Sequence, residues 1–198
     1  MRLEGKSAVI FVEDLVEEIE LLYPKYRLIE EGVKVKVAGP EVRVFKGKNG
    51  YPIKADVSFD EINVNDYDVL VIPGGYAPDR IRRNKTALEL TRKFYESGKV
   101  VAFICHAGWV PISAGILRGK KVTGFFSIKD DLVNAGAEYI DSEVVIDGNL
   151  ISSRTPDIRK QAIHHLTNFY PTLYFKEVDT NKSFRKSTQP FYLLYPNS

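Results

Sequence analysis

The chain has 198 residues, of which 44% are hydrophobic and 12% aromatic; that is enough to bury a full core and slightly long for one domain, so a domain with an appendage is expected. Twenty-eight basic against 26 acidic residues leave a formal charge of +2, too small a bias to draw in nucleic acid or an anionic membrane by long-range attraction. The solitary cysteine, Cys105, excludes an internal disulfide and with it a stapled secreted scaffold.

Met1-Arg2-Leu3-Glu4-Gly5-Lys6 carries charges where a signal peptide needs an apolar stretch, so the expected location is the cytoplasm. Ser7 to Val12 is a short continuous apolar run, as in a strand buried on both faces of a parallel sheet. Ile19, Leu22, Tyr26 and Ile29 then recur at helical spacing, and Glu30-Glu31-Gly32 closes the segment with a glycine stop. Pro24 fits such a helix only in its first turn or at a kink. Val33 to Val37 alternates like a half-exposed strand. Val42 to Phe45 and Tyr51 to Val57 read as an antiparallel excursion around Gly47-Lys48-Asn49-Gly50.

Asp68 to Ile72 is a second buried run, stopped by Pro73-Gly74-Gly75, and Ala87 to Tyr95 is a helix ended by Gly98. Val100 to Ile104 is a third buried strand. The uncharged stretch from Val100 to Leu117 approaches membrane-spanning length, but Cys105-His106-Ala107-Gly108 and Pro111 break it into strand, turn and helix. Lys121 to Phe125, Glu143 to Ile146 and Leu150 to Ser152 are shorter strands, and Pro156 to Phe169 is a closing helix. Strand and helix alternating at this spacing predict an α/β fold, an open doubly wound and mostly parallel sheet with helices on both faces. The domain is placed at residues 1–171. Residues 172–198, mixing Tyr174, Phe175, Phe184, Phe191, Tyr192 and Tyr195 with polar and basic residues, form an appended tail.

Ligands of such sheets bind beyond the carboxyl ends of the strands. Cys105 ends an apolar strand, and Ala107-Gly108 permit a sharp turn that displays the thiol as a nucleophile elbow does. A helix N-terminus there favours the thiolate and supplies N–H groups for an oxyanion. His106 is the neighbouring base, Asp79 a carboxylate able to orient its imidazole, and the N–H groups of Gly74, Gly75 and His106 a candidate oxyanion hole. Glu20, in the first helix, is expensive to bury unless protonated or paired, which suits a carboxyl beside a thiol. Glu17 and Glu18 read equally well as helix-dipole residues facing water, and for Glu18 that is the preferred reading. Three histidines and one cysteine give no zinc spacing, and no phosphate loop or dinucleotide fingerprint occurs. No metal and no cofactor are expected.

Glu17-Glu18-Ile19-Glu20-Leu21-Leu22-Tyr23-Pro24, Pro73 to Asp79, Val101 to His106, Ile128-Lys129-Asp130-Asp131 and Ser153 to Asp157 together resemble the PfpI-type intracellular proteases of the class I glutamine-amidotransferase-like superfamily, which includes the parkinsonism-associated deglycase. The resemblance spans Ser7 to Phe169. It implies a flavodoxin-like three-layer sandwich, Cys105 as nucleophile with His106 beside it, Glu20 as carboxyl partner of the thiol and Glu17 as a secondary candidate. It also implies assembly into a dimer or higher oligomer, with Asp79 of a neighbouring subunit completing a triad. Asp79 stands where that family usually has glutamate, and Ala107-Gly108 where it usually has glycine and proline. The implied activity is thiolate attack on a carbonyl, in peptides or in 2-oxoaldehydes and their adducts; the alternative is a redox-sensing or chaperone-like stress protein using the same cysteine. Glutamine amidotransferase chemistry fits less well, because His164 and His165 are followed by Leu166 and Thr167 rather than by a glutamate two residues on.

Overall fold

The run Ser7-Ala8-Val9-Ile10-Phe11 forms β1 (Ser7–Phe11), buried from Ala8 onward, in a computed structural model that describes residues 3–155. It is followed by α1 (Glu18–Glu30), β2 (Lys34–Gly39), β3 (Val44–Lys46), β4 (Pro52–Lys54), β5 (Val57–Ser58), β6 (Val69–Ile72), α2 (Ala77–Ile81), α3 (Lys85–Glu96) and β7 (Val100–Ile104). The later half adds α4 (Trp109–Ala114), β8 (Lys121–Val122), α5 (Lys129–Asn134), β9 (Glu138–Tyr139), β10 (Val144–Asp147) and β11 (Leu150–Ser153). The expected closing helix at 156–169, His164 and His165, and the tail from Thr172 lie outside the described residues.

Seven strands form the central sheet in the order β10-β11-β7-β6-β1-β2-β5. All its pairs are parallel except the edge hairpin β10–β11. The predicted α/β fold is therefore present, with α1 packed on β1 and β2 and α3 on β6 and β7. The chain leaves β1 for β2 on one side and returns to β6 on the other, so the carboxyl ends of β1 and β6 flank the topological switch point, where this architecture opens a crevice. The excursion between β2 and β5 is the β3–β4 hairpin, with Phe45 opposite Ile53. β8 pairs with β9 in a separate two-stranded sheet rather than extending the main one. Residues 100–117 divide into β7, a 3₁₀ turn and α4, and among the described residues no helix is long and apolar enough to cross a membrane.

The face of α1 differs from the expected one. Ile19, Tyr26 and Ile29 are exposed, while Leu21, Pro24 and Leu28 are buried together with Glu18 and Glu20. Two acids inside the buried stripe displace the apolar periodicity, because each finds hydrogen-bond donors there. Pro24 lies inside the helix, in its second turn; lacking an N–H, it withholds the usual bond to the carbonyl of Glu20.

Candidate functional site

β7 delivers Cys105 to the switch point and stops there. Cys105 adopts φ +60°, a left-handed conformation that non-glycine residues avoid, at a cost of about 1–3 kcal/mol. The chain turns at once into the 3₁₀ segment Cys105–Gly108 and then α4. The thiol is only 8% exposed, with the N–H groups of His106 and Gly75 directed at it.

The β6 loop approaches from the other side. A Cβ on Gly74 would lie 2.6 Å from Glu20 Oε2 and 2.9 Å from the Ile104 carbonyl oxygen. Gly75, at φ +79°, would place one 2.4 Å from the Glu17 nitrogen. Both glycines are thus required by close approach of three chain segments. Gly74 N–H donates to Glu20 Oε2 at 2.6 Å, so it is engaged, and the N–H groups of Gly75 and His106 remain for the reacting atoms.

Glu20 is 1% exposed, and among the described residues its Oε1 has no hydrogen-bond partner. Burial pushes its pKa up to about 7, against the bond from Gly74. Burial, and then the negative charge of Glu20, push the Cys105 thiol up to about 12. The expected stabilised thiolate is not found. The turn after Cys105 is short, and desolvation beside a carboxyl outweighs two N–H groups. The resting pair is a thiol beside a carboxyl that is half ionised near neutrality.

His106 Nδ1 lies 3.2 Å from Cys105 Sγ. Its ring is held between Phe125, with centroids 4.8 Å apart, and Trp109, at 5.4 Å. Burial, with the charge of Lys48, keeps the imidazole below its ordinary pKa, so it is neutral at pH 7. Its Nε2 meets Ser127 Oγ at 3.0 Å. Asp79 does not meet it within the chain: its carboxylate is half exposed and pairs with Arg83.

Glu17 pairs with Lys48, Oε2 to Nζ, at 2.9 Å. Glu18 is buried, contrary to expectation. Its carboxylate accepts from the N–H of Asn49 at 2.6 Å, from Asn49 Nδ2 at 2.7 Å and from the N–H of Tyr51 at 3.4 Å. Burial pushes its pKa up, but the bond from its own backbone N–H, together with those from Asn49 and Tyr51, outweighs this and holds it below the usual carboxylate value. Glu18 thereby fastens the β3–β4 turn to α1, and the turn carries Lys48, whose charge bears on Glu20, Cys105 and His106. Lys48 and Ser127 were not marked by sequence. The first sits in a Gly-Lys-Asn-Gly turn and the second in the 3₁₀ turn Phe126–Ile128, and neither has a spacing relative to Cys105 that would single it out.

The profile of the DJ-1/PfpI family matches residues 6–166. The chain is 52% identical over 140 residues to Deglycase PfpI of Pyrococcus furiosus, covering 71% of this chain and 84% of that one. Among solved structures, Drosophila melanogaster DJ-1beta has a TM-score of 0.79 and 31% identity, over 83% of this chain and 89% of that one. A two-domain protein from Anabaena variabilis, with DJ-1/ThiJ/PfpI-like and ferritin-like domains, gives a TM-score of 0.82 and 38% identity over 84% of this chain. The present chain spans 50% of that protein's length.

Proposed function

Since the chain belongs to the DJ-1/PfpI family, we propose that it is a cysteine-dependent enzyme acting on 2-oxoaldehydes and their adducts, with Cys105 as nucleophile. The observation that carries this reading is the buried cluster of Cys105 with Glu20 and His106 around two backbone N–H groups. The Pyrococcus furiosus relative is named a deglycase.

In this reading Sγ bonds to the aldehyde carbon while His106 Nδ1 takes the thiol proton. The carbonyl π pair moves onto oxygen, where the N–H groups of Gly75 and His106 hold it, and His106 then returns the proton to give a hemithioacetal. The Glu20 carboxylate takes the proton from that carbon and gives it to the neighbouring carbonyl oxygen, forming an enediol; ionised again, it takes the hydroxyl proton of the sulfur-bearing carbon and delivers it to the neighbouring carbon, leaving a thioester of a 2-hydroxy acid. Water adds to the thioester, and sulfur leaves as the thiol. Water and the 2-oxoaldehyde account for every atom of the product, and no oxidant enters. A carboxyl near pKa 7 suits a group that must both accept and donate a proton at neutral pH.

Peptide hydrolysis is less well supported, because among the described residues the imidazole meets a hydroxyl, not a carboxylate. A peroxide-sensing role is less well supported too, since a thiol held in its protonated form reacts slowly with peroxide. Self-association and a small carbonyl compound as partner belong to the same proposal; Leu15 and Tyr76, apolar and exposed beside the Gly75 loop, suit a subunit contact.

The test is steady-state turnover of methylglyoxal and of a fluorogenic peptide by the natural and Cys105→Ala proteins. Methylglyoxal consumption that yields lactate and is lost in Cys105→Ala is expected. Undiminished turnover in that variant sinks the reading, cysteine-dependent cleavage of the peptide alone replaces it with a peptidase, and turnover of neither substrate moves the sensor ahead.

A further inference from the structure

We propose that the hydroxyl of Ser127 is the positioning group for His106, filling within one chain the role that the resemblance gives to the carboxylate of Asp79. The inference rests on His106 being the proton carrier at Cys105.

Both nitrogens of the imidazole are engaged, Nδ1 by Cys105 Sγ at 3.2 Å and Nε2 by Ser127 Oγ at 3.0 Å. Ser127 moves with the elbow. It lies in the 3₁₀ turn Phe126–Ile128, where the N–H of Phe125 donates to the Cys105 carbonyl at 3.2 Å and that of Ile128 to the Phe125 carbonyl at 3.0 Å. Ile128 is fully buried beneath it. The backbone that carries the hydroxyl is therefore tied to the elbow by hydrogen bonds.

A histidine that is to take the thiol proton at Nδ1 must carry its own hydrogen on Nε2, and Ser127 Oγ accepts that N–H. After the transfer both nitrogens bear hydrogen, and the same oxygen still accepts. When Nδ1 gives the proton back, the Nε2–H form returns and the same oxygen accepts from it; a hydroxyl can also turn and donate, so it tolerates the opposite tautomer as well. A carboxylate would only accept, and its charge would trap the imidazolium. Serine at this position thus favours a base that returns its proton at every step, as the hemithioacetal route requires.

The other groups bearing on the ring leave this assignment in place. Cys105 faces Nδ1; Lys48 adds a positive charge that opposes protonation. Asp131 is occupied by Trp109 Nε1 at 2.7 Å, and Arg82 lies over the Trp109 ring at 5.7 Å. Asp79 is paired with Arg83.

The experiment is a ¹⁵N-histidine NMR titration of the full chain, with His106→Gln to assign the signals, on the natural protein and on Ser127→Ala, Ser127→Thr, Ser127→Asp and Asp79→Ala. Ser127 is exposed at the surface, and circular dichroism checks that each variant is folded. Ser127→Ala is expected to change the tautomer population at Nε2 and to lower kcat about tenfold with KM unchanged. Ser127→Thr should restore both. Ser127→Asp should raise the His106 pKa by roughly 1–3 units, and Asp79→Ala should leave it where it was. A tautomer population indifferent to Ser127→Ala overturns the proposal, as does a shift produced by Asp79→Ala and not by Ser127→Ala. The NMR readout needs no turnover, so its failure is distinguishable from failure of the proposed reaction.

Discussion

Cys105 carries two burdens that ordinary residues avoid, a left-handed backbone and a desolvated, acid-flanked thiol. Both follow from ending a strand buried from Val100 to Phe103 at a sharp turn, with Glu20 and the Gly74-Gly75 loop closing over the sulfur. The charge that tempers this cluster is Lys48. It holds down the pKa of His106 and lowers that of Glu20, while its own is raised by the bond to Glu17. Removing it should let both groups retain protons to higher pH. For Lys48→Gln the acidic limb of kcat/KM is expected to move upward by up to about one unit, measured from pH–rate profiles with methylglyoxal. An unchanged limb would show that the lysine's charge does not reach the proton carriers.

At the scale of elements, the β3–β4 hairpin matters because one buried side chain docks it. Glu18 offers two oxygens to three donors of residues 49 and 51, and hydrogen bonds to a charged, buried acceptor are among the stronger ones. Glu18→Ala strands those donors and is expected to cost about 3 kcal/mol, which lowers the midpoint of thermal unfolding by roughly 6–12 °C for a chain of this size; a shift under a degree would remove Glu18 from this role. KM should rise in the same variant as Lys48 loses its setting. The hairpin also marks where sequence reading stops. Strands β1, β6 and β7 are visible as apolar runs because both their faces are covered, and the elbow at Cys105 with its glycine loop follows from where those runs end. Glu20 is legible too, as an acid too costly to bury without purpose. Glu18, two residues earlier, carries no such mark: its donors arrive from a turn some thirty residues on, and only the closed hairpin brings them to it. Lys48 and Ser127 are hidden for the same reason, since their relation to His106 exists only once three loops meet at the switch point.

For the whole molecule, acids held by hydrogen bonds or burial make stability depend on pH in opposite senses. Glu18 and Asp14, the latter through its bonds to Arg43, have pKa values below their ordinary ones in the fold. They therefore add stability above their unfolded pKa values and lose it as pH falls into the acid range. Glu20 does the reverse. Its folded pKa near 7 exceeds its ordinary 4.5, so the folded state binds the proton more tightly than the unfolded chain. Glu20 then costs nothing below about pH 4.5, and its penalty grows as pH rises through 7, reaching on the order of 3 kcal/mol. Stability should peak near pH 5 and decline toward pH 8, a slope that the charge-free Glu20→Gln lacks. Urea unfolding of both proteins at pH 5 and pH 8 measures it: the variant is expected to match the natural protein at the lower pH and exceed it by roughly that amount at the higher. Equal slopes would mean that Glu20 is not the acid held protonated in the fold. The same variant should lose at least a hundredfold in methylglyoxal turnover, because a carboxamide cannot pass a proton between the two carbons. A gain in stability joined to a loss of turnover is what an acid kept buried for its chemistry produces.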